Sequence, residues 1–236
     1  MESTAEKQIK VLNKLDLSIT HSHTIPITKR FWNVINNGLL LYGLRNRLAR
    51  IGLDIVPYYW VQEEYKPCDE PIIKGNADDF TVKYLNEDEV KLVASKVPKI
   101  LGDDLIKGFS NGQLCVGLEH NKSIAAFNFI ELNDFNFKRR RFKLNDNEAY
   151  LLNMWTFHEF RGKNLAPYLR YKSYLLLKEI GRDMKYSVSN YFNKSSIKFK
   201  NKLNANHLKL YLSIVIFKKI YWNFKLKDFN KNTRKT

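Results

Sequence analysis

The spacing of apolar residues predicts helices and strands along most of the chain, beginning with a long helix. Over residues 28–51, apolar side chains recur at three- and four-residue steps, and Gly52 follows them as a typical helix end. Residues 53–62 are apolar and β-branched, which predicts an extended segment, and Pro57 within it favours an edge strand or a bend. A shorter amphipathic pattern over residues 5–17 predicts a further helix.

The middle of the chain alternates between the two patterns. The pattern predicts strands over 81–85, 114–119 and 123–131, and helices over 86–97 and 103–109. The polar triplet at 120–122 has the composition of a hairpin turn, and Asn86 or Asp88 is suited to cap the first of these helices. The segment ending near Trp222 is expected to supply the last strands.

A strand, a tight turn and a helix are predicted in succession between residues 150 and 180. The apolar run 150–157 leads into a turn at Arg161 and Gly162. One face of the following helix is expected to carry Leu165, Tyr168, Leu169, Leu176 and Ile180, with Ser173 between them. Backbone N–H groups at the start of such a helix lack internal partners and lie at the positive end of its dipole. The turn is therefore a candidate phosphate-binding site.

The spacing of Arg161–Ala166 resembles the Arg/Gln-x-x-Gly-x-Gly/Ala signature of the GNAT superfamily of acyl-CoA-dependent N-acyltransferases. Asn164 stands where the family has its central glycine, and asparagine tolerates unusual backbone angles better than most residues. Residues 193–203, which follow a strand pattern at 184–189, resemble the Asn-led helix of the same family. Residues 79–90 resemble its first strand and helix, so the likeness covers about residues 78–226.

The resemblance implies the fold and its boundaries. It implies an α/β (α+β) fold, with a mixed, mostly antiparallel GNAT-like sheet flanked by helices. Residues 1–75 are expected to form a helical and extended N-terminal extension that packs on the core. The acyltransferase core is expected over 76–229, and residues 230–236 form a basic tail.

The resemblance also implies coenzyme A, carried as acyl-CoA substrate, and a set of residues that hold it. The loop would bind the pyrophosphate, and residues 155–157 would pair with the pantetheine amides. Asn193 or Ser195 is suited to cap its helix, and Asn193 matches a residue that lies near the pantetheine in relatives. The complete set is Trp155, Thr156, Phe157, Arg161, Gly162, Lys163, Asn164, Leu165, Ala166, Asn193 and Ser196.

The proton-transfer groups are less well defined by the motifs. Lys200 occupies the position of the family's thiolate-protonating tyrosine, and a solvated lysine on a basic helix is the ordinary interpretation of it. Burial would be needed to lower its pKa into a useful range for an acid. Tyr191 is the substitute acid, and Glu148, Glu131 and His158 are the candidate bases, with water as the alternative.

Composition and charge limit the classes of partner. The chain has 40 Lys and Arg against 24 Asp and Glu, a net charge of +16, which suits either nucleic acid or a small polyanion such as coenzyme A. No nucleic-acid-binding motif accompanies the charge, so nucleic acid is disfavoured. Cys68 and Cys115 have no metal-ligand spacing, and no metal is expected. The sequence shows no leader and no long apolar run, so a cytoplasmic protein without a membrane partner is expected.

The motifs leave the acceptor amine open. The favoured acceptor is a dTDP- or UDP-linked amino sugar, because the extension is aromatic and the charge suits two anionic substrates. Acylation of a protein, a peptide or a small amine is the alternative, and from another class a non-catalytic or nucleic-acid-binding module. A homodimer is also possible.

Overall fold

The computed structural model describes residues 39–229, which divide into two compact units. Within the described residues, the first unit consists of residues 67–186 and the second of residues 39–66 and 187–229. The division falls inside one strand, because residues 184–190 form a single extended segment. Each unit therefore contains part of that strand.

The first unit holds a sheet with three covering helices. Its helices are α2 (Glu87–Ser95), α3 (Lys99–Ser110) and α4 (Leu165–Glu179). Its strands are β2 (Phe80–Tyr84), β3 (Leu114–His120), β4 (Ser123–Glu131), β5 (Phe135–Phe137), β6 (Arg140–Phe142), β7 (Glu148–Thr156) and the start of β8 (Met184–Asn190). The sheet order is β2-β3-β4-β7-β8, with β5 and β6 forming a separate hairpin. Only the β7–β8 pair is parallel among the pairs of this sheet.

Local sequence signals account for much of the first unit. Asn86 caps α2 in a capping box, in which its side chain accepts from the Glu89 N–H and Glu89 accepts in return. The turn between β3 and β4 has Asn121 and Lys122 at φ 48° and 61°, the left-handed pair that a two-residue hairpin requires. An apolar cluster that includes Val90, Leu101 and Phe127 joins α2 and α3 to β3 and β4. The strand and helix predictions for this region are confirmed to within a few residues.

The second unit is a sheet of four strands with two helices. It contains α1 (Leu39–Arg50), β1 (Leu53–Glu63), the end of β8, α5 (Lys194–Lys202), β9 (Asn206–Ile216) and β10 (Ile220–Asp228). The sheet order is β10-β9-β1-β8. Buried Arg45 of α1 donates to Asp54 of β1 at 2.9 Å, which fixes the helix to one face of the sheet.

Strand β1 is not an edge strand, so one of the two expectations based on Pro57 is wrong. The strand has β9 on one side and β8 on the other. The Pro57 carbonyl accepts from the Tyr191 N–H at 3.0 Å, and the N and O of one strand residue point to the same side. The missing N–H of Pro57 therefore faces away from β9, and the β1–β9 ladder loses no hydrogen bond there.

The expected boundary between extension and core does not match the two units. Residues 53–63, assigned to the extension from sequence, form β1 and pair with β9 along nearly their whole length. Residues 1–38 of the predicted extension lie outside the described part of the chain. The predicted tail at 230–236 lies outside it as well. The prediction of a mixed, mostly antiparallel sheet flanked by helices is confirmed.

None of the helices described between residues 39 and 229 is both long and apolar enough to cross a membrane.

Candidate active site

The loop between β7 and α4 has the backbone geometry of an anion site. Gly162 has φ 82° and Asn164 has φ 65°, and α4 begins at the next residue. Among the described residues, no acceptor is found for the N–H groups from Gly162 to Ala166. The first α4 bond runs from the Tyr168 N–H to the Asn164 carbonyl at 3.5 Å. The loop therefore presents a series of free donors at the positive end of a 15-residue helix.

Asn164 does more than replace a glycine. Its backbone takes the left-handed conformation, as expected for asparagine at that position. Its side-chain amide donates to the Ile72 carbonyl at 2.7 Å, and the Lys74 N–H donates to the Lys163 carbonyl at 2.9 Å. Residues 72–74 thus brace the loop, a contact between distant sequence segments that no motif indicated.

Two basic side chains project from the same loop. Arg161 Nε donates to the Thr156 carbonyl at 3.2 Å, and its guanidinium lies 5.9 Å from the centroid of the Trp155 ring. Lys163 Nζ lies 5.6 Å from the Phe160 ring. Both contacts are close enough for a cation–π interaction and hold positive charge beside the free N–H groups.

The half of β7 that leads into the loop departs from regular pairing. Its parallel ladder with β8 covers only Glu148–Tyr150, and the rest of β7 pairs with β4. The β4 register shifts between Phe127 and Phe129, where Asn153 of β7 has φ 51°, so β7 carries a bulge. Asparagine in the middle of an apolar run was the sequence signal for this bulge, and sequence reasoning missed it.

Three polar atoms on this half of β7 are buried without a partner. They are Asn153 Nδ2, Trp155 Nε1 and Thr156 Oγ1, and none finds a hydrogen bond among the described residues. Buried polar groups in proteins are nearly always paired, so three within four residues point to a ligand. Trp155 and Thr156 were expected in the cofactor site from sequence, whereas Asn153 was not.

Phe157, Leu165 and Ala166 have different parts in the loop. The Phe157 N–H donates to the Ala125 carbonyl and its own carbonyl accepts from the Phe160 N–H, both at 3.0 Å. Phe157 therefore offers no free backbone group to a ligand and packs into the core. The side chain of Leu165 is also buried, so only its N–H faces the loop, as does that of Ala166.

The face of α4 that packs inward matches the predicted one at Leu165, Leu169 and Ser173, which are buried, and differs from it elsewhere. Ile180 is exposed and Leu176 and Tyr168 are half-buried, whereas Tyr174, Leu177 and Arg170 are buried. Arg170 donates to the Asn128 side chain at 2.7 Å, and Asn128 lies at the β4 register shift opposite the bulge. A polar contact under the helix therefore replaces part of the expected apolar stripe.

The position of Lys200 on the basic helix α5 suggested a solvated side chain, but the structure buries it. Its side chain is 2% exposed. Nζ donates to Ser187 Oγ at 2.5 Å and Ser189 Oγ at 2.9 Å, and it lies 3.4 Å from the Glu63 carboxylate, whose side chain is fully buried. The lysine joins α5 to β8 and β1 through a buried ion pair. These contacts are typical of a lysine with a structural role, and none of them marks Lys200 as a proton donor.

The other predicted residues of the second unit lie near the start of α5. Asn193 caps that helix, with its side chain accepting from the Ser196 N–H at 3.0 Å, as the sequence indicated. Tyr191 is 43% exposed, and its ring stacks on Tyr59 at 5.5 Å between centroids. Tyr191 is therefore a partly exposed tyrosine near the start of α5.

His207 of β9 should make the stability of the second unit depend on pH. Burial, with the Lys200 charge as a second cause, lowers the pKa of His207 below its usual 6.5. Its Nε2 is buried without a hydrogen-bond partner among the described residues. The fold thus favours the neutral ring, and the associated stability is present above about pH 6.5 and is lost as pH falls through the folded-state pKa.

We expect the advantage of wild type over His207→Asn in free energy of unfolding to shrink between neutral pH and about pH 5. Urea unfolding at a series of pH values measures it. A difference between the two proteins that stays constant over this range would contradict the assignment.

The two candidate carboxylate bases have structural partners. Glu148 accepts from the Asn145 N–H at 2.9 Å and from the Tyr186 hydroxyl at 3.2 Å. Burial and the Glu148 charge raise the pKa of Tyr186 to about 12. Glu131 accepts from Gln113 at 3.1 Å and from the Asn133 N–H at 2.9 Å. Glu131 pairs across from Tyr150, five residues along β4 from the Ala126–Thr156 pair that adjoins the loop.

Of the remaining candidates, His158 is exposed in a short 3₁₀ turn. Among residues 39–229, no group of three or more His, Cys, Asp or Glu side chains is arranged to hold a metal ion.

The fold is shared with solved acetyltransferase structures. No protein-family model and no curated protein matches the chain. An acetyltransferase of the GNAT family from Colwellia psychrerythraea matches with TM-score 0.50 and 13% identity, over 78% of this chain and 62% of that chain. A GCN5-related N-acetyltransferase-like protein from Streptococcus suis matches with TM-score 0.48 and 14% identity, over 74% and 66%.

An N-acetyltransferase from Staphylococcus aureus matches with TM-score 0.43 and 16% identity, over 65% of this chain and all of its own. The chain thus spans less than two thirds of the length of the Colwellia and Streptococcus structures. The resemblance inferred from the motifs is confirmed at the level of the architecture, and the protein has the fold of the GNAT superfamily.

Proposed function

We propose that the protein transfers an acyl group from acyl-CoA to a primary amine. The observation that carries the proposal is the loop from Gly162 to Ala166, whose free N–H groups stand at the start of α4. Such a cluster binds a pyrophosphate through its backbone, and Arg161 and Lys163 add positive charge.

The pantetheine arm would run along the bulged half of β7. Asn153, Trp155 and Thr156 each have a buried polar atom there that needs a partner. The bulge turns backbone groups of Asn153 out of the ladder with β4, which makes them available to an amide or a thioester carbonyl. A ligand held along a strand in this way is oriented as well as bound, which favours reaction at its end.

In the reaction, the amine nitrogen attacks the thioester carbonyl carbon. A C–N bond forms and the C–S bond breaks, with the electron pair leaving on sulfur as the coenzyme A thiolate. The nitrogen loses a proton to water or to a carboxylate, and the thiolate gains one. Because a thiol of this kind has a pKa of roughly 8.5, the thiolate leaves readily without strong assistance.

Tyr191 remains the candidate acid for the thiolate on the sequence resemblance, and its contribution is expected to be small. We expect Tyr191→Phe to lower kcat by less than about tenfold, compared with the ~10²–10⁴ of a committed general acid. The stacking on Tyr59 survives the change, so the fold is retained. Steady-state kinetics with coenzyme A release as the readout measure the effect. A loss beyond roughly a hundredfold with unchanged acyl-CoA affinity would instead identify Tyr191 as the acid.

A nucleotide-linked amino sugar remains our preferred acceptor, and it rests on charge and composition alone. The net charge of +16 suits two anionic substrates, and the 14% aromatic content provides rings for stacking on a base or sugar. A peptide or protein amine is the second candidate acceptor.

The deciding experiment is a transfer assay with acetyl-CoA against panels of amino sugars, nucleotide-linked amino sugars, small amines and peptides. Acyl transfer to any amine, abolished together with acyl-CoA binding in a loop variant, supports the proposal. Absence of coenzyme A binding, together with salt-dependent binding to generic duplex DNA, would favour a nucleic-acid-binding module on the same fold.

A further inference from the structure

The second unit exposes an apolar sheet face that the acyl-transfer chemistry does not use. Register places Leu53, Ile55, Pro57 and Tyr59 of β1 beside alternate residues of β9, and these lie in turn beside β10. The β9 and β10 members of the face are Leu210, Leu212, Ile214, Ile216, Ile220, Trp222 and Phe224. All of these side chains are half-buried or exposed, and Trp222 and Phe224 are each nearly half exposed. We call this surface the open face.

The opposite face of the same strands is covered, so the exposure is confined to one side. Asp54, Val56 and Tyr58 alternate with the open-face residues of β1 and are buried, and Asp54 pairs with Arg45 of α1. Helix α5 reaches the open side only near Glu63, through the Lys200 ion pair. Among the described residues, the β1 and β9 members of this side are half-buried, and Tyr59 lies against the rings of Tyr191 and Phe229. The β10 members Ile220, Trp222 and Phe224 are exposed.

Two turns meet at one end of the open face and form a basic and apolar tip. The tip consists of Arg50, Ile51, Phe217, Lys218 and Lys219. The Phe217 N–H donates to the Gly52 carbonyl at 2.6 Å, which joins the β9–β10 turn to the α1–β1 turn. Phe217 and Ile51 are each 69% exposed.

The conformation of this tip is costly for the residues that occupy it. Phe217 and Lys218 have φ 46° and 57°, a left-handed pair that two-residue hairpins usually fill with Asn or Gly. A bulky aromatic residue at that position is strained, and its ring lies against Gly52 but is still 69% exposed. Strained positions cluster at sites of function, so the exposed ring is a candidate for contact with a partner.

Charge identifies the kind of surface that fits the tip and the open face. The tip carries Arg50, Lys218 and Lys219, and Lys227 lies beside Leu210 of the open face. Lys225 lies opposite Tyr211 on the other face and pairs with Asp228 at 3.4 Å. An occupant must therefore offer negative charge beside an apolar layer. An anionic lipid bilayer has both, with acidic headgroups above hydrocarbon, and aromatic rings with flanking lysines settle at that boundary.

A second copy of the chain fits less well. The face from Leu53 to Tyr59 across three strands has a footprint of roughly 300 Å², from strand spacings of about 4.8 Å and rises of about 3.3 Å. A stable interface needs about 800 Å² from each partner. Pairing two copies through this face and tip would also bring Lys218 and Lys219 of one copy near those of the other.

We propose that the tip and the open face bind an anionic membrane surface, with Phe217, Trp222 and Phe224 inserted at the headgroup boundary. This proposal departs from the expectation of no membrane partner, and it does not depend on the acyl-transfer proposal. The binding is peripheral and reversible, because it combines a small apolar patch with a few basic residues.

The test is co-sedimentation of the full chain with mixed phosphatidylcholine–phosphatidylglycerol vesicles and with pure phosphatidylcholine vesicles. Wild type should bind the mixed vesicles and bind the neutral ones weakly. Phe217→Asn should weaken binding about tenfold, because it removes an inserted ring. Asparagine suits the left-handed turn, so this variant should fold at least as stably as wild type.

Two further variants separate insertion from charge. The double change Trp222→Ser and Phe224→Ser should weaken binding at least about tenfold, and Lys219→Glu should weaken it by about fivefold for each unit of charge. Matched controls in the first unit are Ile100→Asn, whose side chain is 55% exposed, and Lys99→Glu. Ile100→Asn should bind the mixed vesicles as wild type does. Lys99→Glu should lose less affinity for them than Lys219→Glu.

Three outcomes would overturn the proposal. One is failure of wild type to bind the mixed vesicles. Another is equal binding by wild type, Phe217→Asn and the Trp222 and Phe224 double variant, which would leave charge alone as the cause. The third is a dimer in light scattering that the double variant converts to monomer, which would make a second copy the occupant.

Discussion

Gly162→Val is expected to weaken acyl-CoA binding by at least about tenfold. Gly162 has φ 82°, and a β-branched residue in that region costs ~1–3 kcal/mol, where 1.4 kcal/mol is a factor of ten in affinity. A Cβ at this position would meet no atom within 4 Å, so the effect comes from the backbone and not from a clash. Shifting φ would move the N–H groups of the loop away from a common anion, and calorimetric titration with acetyl-CoA measures the loss.

Gly181 provides a matched control for this prediction. It has φ 74°, no atom within 4 Å of an added Cβ, and a position just beyond α4 at the end opposite the loop. Gly181→Val should cost a similar amount of stability in urea unfolding but leave the affinity for acetyl-CoA unchanged. Equal affinities in wild type and Gly162→Val would show that this loop does not hold the phosphates.

The phosphate loop could be predicted from sequence because its signals are local. Arg161 and Gly162 follow an apolar run and precede a helical pattern, and Asn164 has the residue type that a left-handed position accepts. The support of the loop could not be predicted in this way. The contacts from Asn164 to Ile72 and from Lys74 to Lys163 join segments about 90 residues apart, and no periodicity encodes such a pairing.

Turns were predictable only where their composition was typical. Asn121 and Lys122 form the left-handed turn that the polar triplet indicated. The turns at Lys138–Arg139 and Phe217–Lys218 adopt the same conformation without glycine or asparagine. Tertiary contacts override local preference at both: Phe217 is held by Gly52, and the hairpin at 135–142 is stacked on Tyr150 through Phe135 at 4.0 Å.

The position of β1 illustrates a similar limit. An apolar, β-branched segment predicts a strand, and residues 53–63 form one. Its neighbours follow from topology, since β1 lies between β8 and β9, which come more than 120 residues later in the chain. Pro57 suggested an edge strand because a proline lacks the N–H that a central strand uses for pairing. The sequence pattern does not tell which neighbouring strand that missing N–H would have faced.

Lys200 shows how burial changes the chemistry assigned to a residue. The sequence around it is basic and polar, which is typical of a solvated helix face. The side chain instead lies 3.4 Å from Glu63, with exposures of 2% and 0%. Removing one member of a fully buried pair leaves the other charge uncompensated, which costs ~3–5 kcal/mol. Lys200→Met should therefore lower the free energy of unfolding by about this amount.

Lys91→Met is the matched control, because Lys91 pairs with Glu87 at 2.7 Å with both side chains more than half exposed. A solvated pair of this kind contributes little to stability, so the control should unfold nearly as wild type does. Urea unfolding of the two single variants separates the cases. A Lys200→Met protein as stable as Lys91→Met would contradict the buried ion pair.

The double variant Lys200→Met, Glu63→Met then separates structure from catalysis. Replacing both charges by apolar side chains of similar size is often neutral or stabilising, so the double variant should recover most of the stability that the single variant loses. If Lys200 only joins α5 to β8 and β1, the recovered protein should transfer acyl groups within about tenfold of wild type. A fall in kcat of more than roughly a hundredfold, with stability and acyl-CoA affinity recovered, would make this buried lysine the proton donor to the thiolate.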